Sequence, residues 1–540
     1  MRGSLRKLQE ALGRRGWPPA VVAAYAGLVA LFLVALGQFY IPGKGFSYLI
    51  AFGAKQEEAR LSKVRKLDYY LAKGSDGYDA QYYAQIAMDP SLRNRELQRA
   101  VDSLPYRARR ILFPATAYVF GLGRPAWILH AYALQNVASW FLLAALLLHW
   151  FPPRSWDHFA RWAGVMFSFG VCMSFRNALI DGPSLLLIAL GVCLLERGRQ
   201  WWSTAVFALG GLGKETNRLG AAALVPKFSD GGRAWALALG RALLVAAPLA
   251  LWVAYIAMTV GPAADPGLRN FDLPFVAYLR KWGEIGEGWA DLSVANPGPL
   301  WSLLMMVALT VQFLFLVLRP QWQRAWWRIG CSYALLLIVL GDAVWEGYPG
   351  AASRVLLPMQ LAFNVLVPVG RGWWAVLLLG NLTFFAAPSV LEAPTGEGYV
   401  IKGPDALFYG AAGRMVAAEY GEGWYAPERR NADYWCWATG NAGLTLENPH
   451  PVPLQVRVRF TVNVNRDRQV RLKVDGTEVW ATTIPRNGSV SVTLGDLVLP
   501  PGKSRWEFTT DAPAGHVGND PRSLAFSLQN LRIDVQRLRP

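Results

Sequence analysis

Trp201-Trp-Ser-Thr-Ala-Val-Phe-Ala-Leu-Gly-Gly-Leu-Gly-Lys-Glu-Thr-Asn-Arg-Leu-Gly-Ala-Ala-Ala-Leu-Val-Pro-Lys227 is two short apolar halves broken by five polar residues, Lys214 to Arg218. A single helix through a bilayer would carry that charged patch at depth, which is costly. Two short helices, or a re-entrant hairpin with the patch at its tip, put the charges in water or in a cleft. The flanking loops decide between these readings. Glu196-Arg-Gly-Arg199 and the stretch from Lys227 to Arg233 are both short and basic. The positive-inside rule assigns both to the cytoplasmic side, so the chain between them must go out and come back.

Working outward, apolar stretches near the ~20 residues needed to cross a bilayer fall at 20–39, 126–150, 159–176, 181–195, 234–260, 299–318, 326–345, 352–369 and 372–390. The expectation is about nine full spans plus the hairpin, or about eleven if both halves of 201–227 cross. Either count is odd. With the basic 1–19 segment inside, the C-terminus lies outside. The same bookkeeping puts the 40–110 loop, Arg176–Asp181, the Lys214–Arg218 tip, the 261–298 loop and Asp342–Arg354 outside. Composition agrees: 53% of residues are hydrophobic, 13% aromatic and only 17% charged, as in a polytopic α-helical membrane protein. The 24 Trp and 20 Tyr suit the aromatic belts at bilayer interfaces. The net charge of +17 sits mostly between apolar segments, which favours lipid headgroups and phosphate-bearing substrates over nucleic acid. The four Cys are scattered, without metal-like spacing.

Beyond Leu391 the pattern changes. Leu454–Val462, Val470–Val474, Val490–Leu494, Trp506–Phe508 and Leu531–Val535 alternate apolar and polar residues, the signature of strands with one buried face. Residues 425–540 therefore read as a β-sandwich or jelly roll, joined by a 391–424 linker to the 20–390 membrane domain. Trp435 and Trp437 read as sheet-packing aromatics, with stacking on a sugar ring as the alternative.

Charged residues at the outer helix ends are the candidates for chemistry. Asp79 lies among Tyr78, Tyr82 and Tyr83, where partial desolvation favours a general base; the structural alternative is a helix N-cap. Asp76 and Asp89 are weaker candidates. Arg107, Arg109 and Arg110 stand just before an apolar tract resumes; they read either as interfacial anchors or as a phosphate clamp, which guanidinium groups make bidentately. Asp181 opens a span, where a carboxylate suits a helix N-terminus. Lys214, Glu215 and Arg218 resist a structural explanation unless they line a cavity. Arg354 enters an apolar helix from outside, with Asp342 and Glu346 as candidate partners. Walker, HExxH and GxSxG signatures are missing.

Asp79-Ala-Gln-Tyr-Tyr, Tyr106-Arg-Ala-Arg-Arg-Ile-Leu-Phe-Pro114, Asp181-Gly-Pro, Lys214-Glu-Thr and Ser353-Arg-Val-Leu-Leu-Pro358 resemble motifs of the bacterial GT-C superfamily of membrane glycosyltransferases over about residues 20–390. The resemblance implies a GT-C-like, mannosyltransferase-like bundle in a bacterial cytoplasmic membrane. It also implies a polyprenyl-phosphate-linked sugar as donor, a glycan, lipid or protein acceptor, and an essential acid in the first outer loop. The C-terminal β-domain is similar to an appended periplasmic module. No soluble cofactor is demanded and no metal ligands are assigned. Asp76 and Asp79 stand three apart rather than as Asp-x-Asp, which leaves a divalent metal open. On this reading Asp79 is the base of an inverting transfer, and Arg109, Arg110, Lys214, Arg218 and Arg354 bind the phosphate with Asp181 and Glu215 positioning them. A lipid-linked sugar flippase and a glycan-binding scaffold are the rival expectations.

Overall fold

The computed structural model describes residues 16–538, apart from 42–43, 73–74, 228, 263–266, 293–296, 348, 392–398, 402–405, 410–415, 427, 431–432, 449–452 and 517–519. Most of the basic 1–19 segment thus lies outside the described residues. The chain packs into two units. The first comprises Met1–Leu33, Glu58–Leu67 and Tyr78–Glu392; the second comprises Val34–Glu57, Asp68–Gly77 and Ala393–Pro540.

The first unit is helical. Among the described residues four helices are long and apolar enough to cross a membrane: Pro19–Gln38, Pro125–Leu147, Gly232–Thr259 and Gly298–Leu318. A fifth span exists if Arg371–Leu379 and Leu382–Val390, bent by 50° at their junction, count as one. The chain is a multi-pass membrane protein. The other four expected spans are shorter or broken, and the breaks have local causes. The 159–176 stretch divides into helices Trp156–Met166 and Phe169–Arg176, because the Ser168 hydroxyl caps the second by accepting from the Val171 amide. The 352–369 stretch divides into Ala352–Val355 and Leu357–Leu366, with Pro358 in the first turn of the second. Asp181–Glu196 and Ala325–Val339 are continuous but short.

The 201–227 stretch forms a hairpin by an unusual route. Helix Gln200–Gly213 ends at Lys214, whose backbone is extended, and Glu215–Leu224 continues as a 3₁₀ helix. Runs of 3₁₀ helix this long are uncommon. At about 2.0 Å per residue, ten residues return over about 20 Å, nearly the distance fourteen α-helical residues cover outward. Small residues allow the close return: a Cβ at Gly220 would stand 2.8 Å from the Phe207 ring. Asn217 Nδ2 donates to the Ser184 carbonyl at 3.1 Å, and Tyr333 Oη donates to the Thr216 carbonyl at 2.9 Å. These bonds pin the 3₁₀ segment to two helices.

The second unit is built from strands. Among the described residues there are fourteen: β1 Phe52–Gly53, β2 Tyr70–Ala72, β3 Tyr399–Ile401, β4 Ala406–Tyr409, β5 Val416–Tyr420, β6 Glu428–Arg430, β7 Asp433–Trp437, β8 Ala442–Asn448, β9 Leu454–Val464, β10 Arg468–Val474, β11 Thr477–Ile484, β12 Ser489–Leu499, β13 Gly502–Thr510 and β14 Phe526–Leu538. They form one sheet of order β1-β2-β3-β4-β5-β8-β13-β10-β11 and another of order β12-β9-β14-β7-β6. Pairing is antiparallel except between β1 and β2. Each of the five expected strands lies inside an observed one. In β9 alternate residues from Leu454 to Val464 are buried, as period two requires. The two sheets share one core, with Phe508 within 6.1 Å of both Phe460 and Phe526 by ring centroids. This is a β-sandwich.

Two boundaries need correction. The 391–424 stretch carries β3, β4 and β5, which continue the larger sheet outward from β8 and so do not form a linker. The 40–110 loop does not belong wholly with the helical bundle either. Its β2 pairs with β3, from Tyr70 opposite Ile401 to Ala72 opposite Tyr399. Backbone amides and carbonyls seek partners, and runs of three to five residues satisfy them in a sheet without a long alternating pattern.

Candidate functional site

Within the helical unit a cavity of about 610 Å³ is lined by Asp79, Arg109, Arg110, Asp181, Lys214, Glu215, Arg218 and Arg354. Five stretches of the chain, distant in sequence, meet there. Tyr83, Ser103, Tyr106, Arg107, Thr216, Arg269 and Asn270 complete its polar lining.

Asp79 stands immediately before helix Ala80–Ile86, yet its side chain makes no capping bond. Instead its carboxylate meets Arg107 Nη2 at 3.0 Å. The helix is held by Gln85, a buried side chain that accepts from the Leu61 amide and donates to the Ala100 carbonyl, both at 2.9 Å. Arg107 also binds Asp102 through two nitrogens, at 2.7 and 3.0 Å. Burial opposes the charge on Arg107, but the tyrosine and two carboxylates around it hold its pKa above the usual arginine value. Three residues on, Arg110 donates to Glu215 Oε2 at 2.8 Å, Tyr83 Oη at 2.5 Å and Tyr106 Oη at 2.9 Å.

Asp181 bridges two cations: Lys214 Nζ lies 2.6 Å from one oxygen and Arg354 Nη1 3.0 Å from the other. The backbone turns into Asp181 through Ala178, at φ 43°, and the Ser174 hydroxyl accepts from the Gly182 amide at 2.7 Å. Gly213 lets the chain end its helix against Phe113, whose ring would stand 2.9 Å from an added Cβ. Gly170 is needed for a similar reason, since a Cβ there would meet the Ser353 carbonyl at 2.2 Å. That contact sets the turn bearing Arg354.

Seven cations and three carboxylates line the cavity. The carboxylates differ in access. The Asp181 side chain is 5% exposed and Glu215 19%, whereas Asp79 is 38% exposed. Arg218 is exposed and donates through Nε to the Glu215 carbonyl at 3.2 Å. Arg109 lies over the Tyr106 ring at 5.7 Å. Among the described residues no three His, Cys, Asp or Glu side chains group as metal ligands.

Several expected pairings differ. Asp342 binds Arg280, and Glu346 lies 4.0 Å from Arg269; neither partners Arg354, because Asp181 is nearer. Asp76 makes an exposed pair with Lys55, and Asp89 closes a local turn onto Ser91 and Asn94. Arg107, grouped by sequence with Arg109 and Arg110 as a phosphate clamp, is instead tied to Asp79 and Asp102. Its signal was Asp102, five positions before it at the start of a short helical turn, but nothing in the spacing connects either residue to Asp79. Asn270, which donates to Tyr106 Oη at 3.2 Å, had no signal in its loop.

No family model matches the chain, and no curated protein matches it. Among solved structures, the arabinosyltransferase EmbB of Mycobacterium smegmatis aligns over 97% of this chain and 65% of its own, at 12% identity and a TM-score of 0.36. A family two carbohydrate esterase of Clostridium thermocellum, solved with cellohexaose, aligns over 23% of this chain and 33% of its own, at 12% identity and a TM-score of 0.16. The chain thus spans less than two thirds of the length of either.

Proposed function

We propose that this protein is a GT-C-type membrane glycosyltransferase. It transfers a sugar from a polyprenyl-phosphate donor to a glycan, lipid or protein acceptor on the outer face of a cytoplasmic membrane, with inversion. The acceptor hydroxyl attacks the anomeric carbon, the bond from that carbon to the phosphate oxygen breaks, and Asp79 takes the hydroxyl proton. The lipid phosphate leaves with the bonding pair. The β-sandwich lies on the same outer side, and the basic N-terminus lies in the cytoplasm.

One observation supports this reading most: Asp79 is the most exposed of three carboxylates in a cavity otherwise crowded with cations. A base must reach its acceptor, and a leaving phosphate needs preorganised positive charge. Arg218 has no carboxylate partner among the described residues, so it is the cation best placed to meet the phosphate. Arg109, over the Tyr106 ring in the same cavity, is the second cation assigned to the phosphate. Lys214 and Arg354 share one counter-charge in Asp181 and therefore retain net positive charge toward the cavity. Arg110 is neutralised by Glu215 and serves to hold Tyr83 and Tyr106. A cavity lined by paired charges suits an enzyme better than a flippase, which needs a polar path through the bundle.

The test is transfer from a radiolabelled polyprenyl-phosphate sugar by membranes bearing Asp79→Asn. A loss of about 10²–10⁴-fold, the range of a general base, is expected. An unchanged rate, with the variant present in wild-type amounts, removes Asp79 from the mechanism.

A further inference from the structure

A second cavity of about 520 Å³ lies at the other end of the same helical bundle. Helix Asp181–Glu196 begins in the first cavity and ends in this one, and the hairpin enters it at Gln200 and leaves through Ala223–Lys227. Its basic residues are Lys227, Arg241, Arg324 and Arg328, and its acids are Glu196 and Asp230. Among the described residues none of these four cations forms an ion pair. Glu196 is occupied by the Trp150 and His149 rings, at 2.9 and 3.2 Å. Asp230 accepts from the Lys227 backbone amide at 2.9 Å.

The cations have separate roles. Arg328 is spent on the fold, donating to the Ala222, Ala223 and Trp322 carbonyls at 2.6–3.0 Å. Arg241 is different: its Nε is buried without a hydrogen-bond partner, and its guanidinium stacks over Trp201 at 5.3 Å. A buried donor left unmade is costly, so an anion brought to this guanidinium is favoured. Arg324 and Lys227 are exposed at the rim. The remaining wall is apolar, with Leu195, Leu224, Leu237 and Trp326. Trp201, Trp202 and Trp235 are exposed beside it, as Trp is at the level of lipid headgroups.

We infer that this cavity binds the phosphate of an anionic phospholipid headgroup, with half-buried Arg241 as the innermost donor, Arg324 and Lys227 at the rim, and the apolar wall receiving the upper acyl chain. The inference does not depend on the proposed transferase activity, since no residue is shared between the two cavities.

The test uses the full chain in detergent, titrated with phosphatidylglycerol, phosphatidylcholine or inorganic phosphate and read by native mass spectrometry. Phosphatidylglycerol is expected to be retained selectively. Retention should fall about 25-fold in Arg241→Gln/Arg324→Gln, at about fivefold per cation. Ala234→Glu, which sets a carboxylate in the lining without removing any native contact of the arginines, should weaken retention as well and covers the case in which the double variant does not fold. Equal retention by the wild type and both variants overturns the site. So does phosphatidylcholine binding as well as phosphatidylglycerol. Inorganic phosphate competing at equal affinity would assign the cavity to a free anion and overturn the lipid.

Discussion

The two ends of the helical bundle treat positive charge in opposite ways. In the first cavity Asp181 lies between Lys214 and Arg354, Glu215 faces Arg110, and Arg107 is held by Asp79 and Asp102. In the second cavity none of the four cations has an acidic partner among the described residues. Paired charges are rigid, because each side chain is fixed by a charge-assisted hydrogen bond. Unpaired ones wait for a counter-charge from outside. The first arrangement suits precise placement of reacting groups, and the second suits retention of a lipid whose exact pose matters little.

The sharpest way to break this contrast is Asp181→Asn. It leaves Lys214 and Arg354 buried with one counter-charge fewer, and removing one partner of a buried pair costs about 3–5 kcal/mol. The detergent-solubilised chain should unfold at markedly lower temperature, and Asp181→Asn/Lys214→Met should recover part of the loss. If Asp181→Asn melts like the wild type, the first cavity is not held together by its ion pairs. Glu215→Gln is expected to cost less, about 1–3 kcal/mol, because the amide oxygen can still accept from Arg110; the same melting measurement checks it. Arg218→Gln should leave stability within about 0.5 kcal/mol, as for an exposed residue, while transfer falls about 10²-fold or more. A parallel fall in melting temperature would show that Arg218 is structural after all. The smallest effect belongs to the other end. Arg241→Gln in lipid-free detergent should change stability by no more than about 1 kcal/mol, the worth of its stacking on Trp201, since no hydrogen bond to its Nε is lost. A large loss would mean that Arg241 is held by the protein rather than awaiting a ligand.

Much of this was readable in the sequence, and unevenly so. The long strands were legible because Leu454–Val464 repeats its buried face at every second residue. Strands β3 to β5 were not, since three to five residues hold too few repeats for a period to emerge. Hydropathy located the apolar stretches but merged helices across short breaks, so Trp156–Met166 and Phe169–Arg176 read as one span. The hairpin followed from loop charge; its 3₁₀ return did not, because Leu219-Gly220-Ala221-Ala222-Ala223 would suit several compact conformations. The eight candidate residues were visible because a charge in apolar surroundings is expensive and conspicuous. Their partners were not: that Asp181 would take both Lys214 and Arg354 depends on helix ends meeting in space. Nor was the tie from Arg107 to Asp79 and Asp102 legible, since five positions separate Arg107 from Asp102, too many for a simple helical pair.

The pairing of β2 with β3 has a consequence for how the protein is made. Strand β2 leaves the ribosome soon after the first membrane helix, while β3 follows only when the rest of the helical unit has been synthesised. Until then β2 has only β1 as a native neighbour, its other edge lacks its partner, and the larger sheet cannot close over the pair. A fragment starting at residue 425 would never receive them, nor β3 to β5, and would present the flank of β8 as a bare edge open to pairing with other chains. The C-terminal sandwich is therefore not a detachable module: its larger sheet is completed by strands translated long before the rest of it.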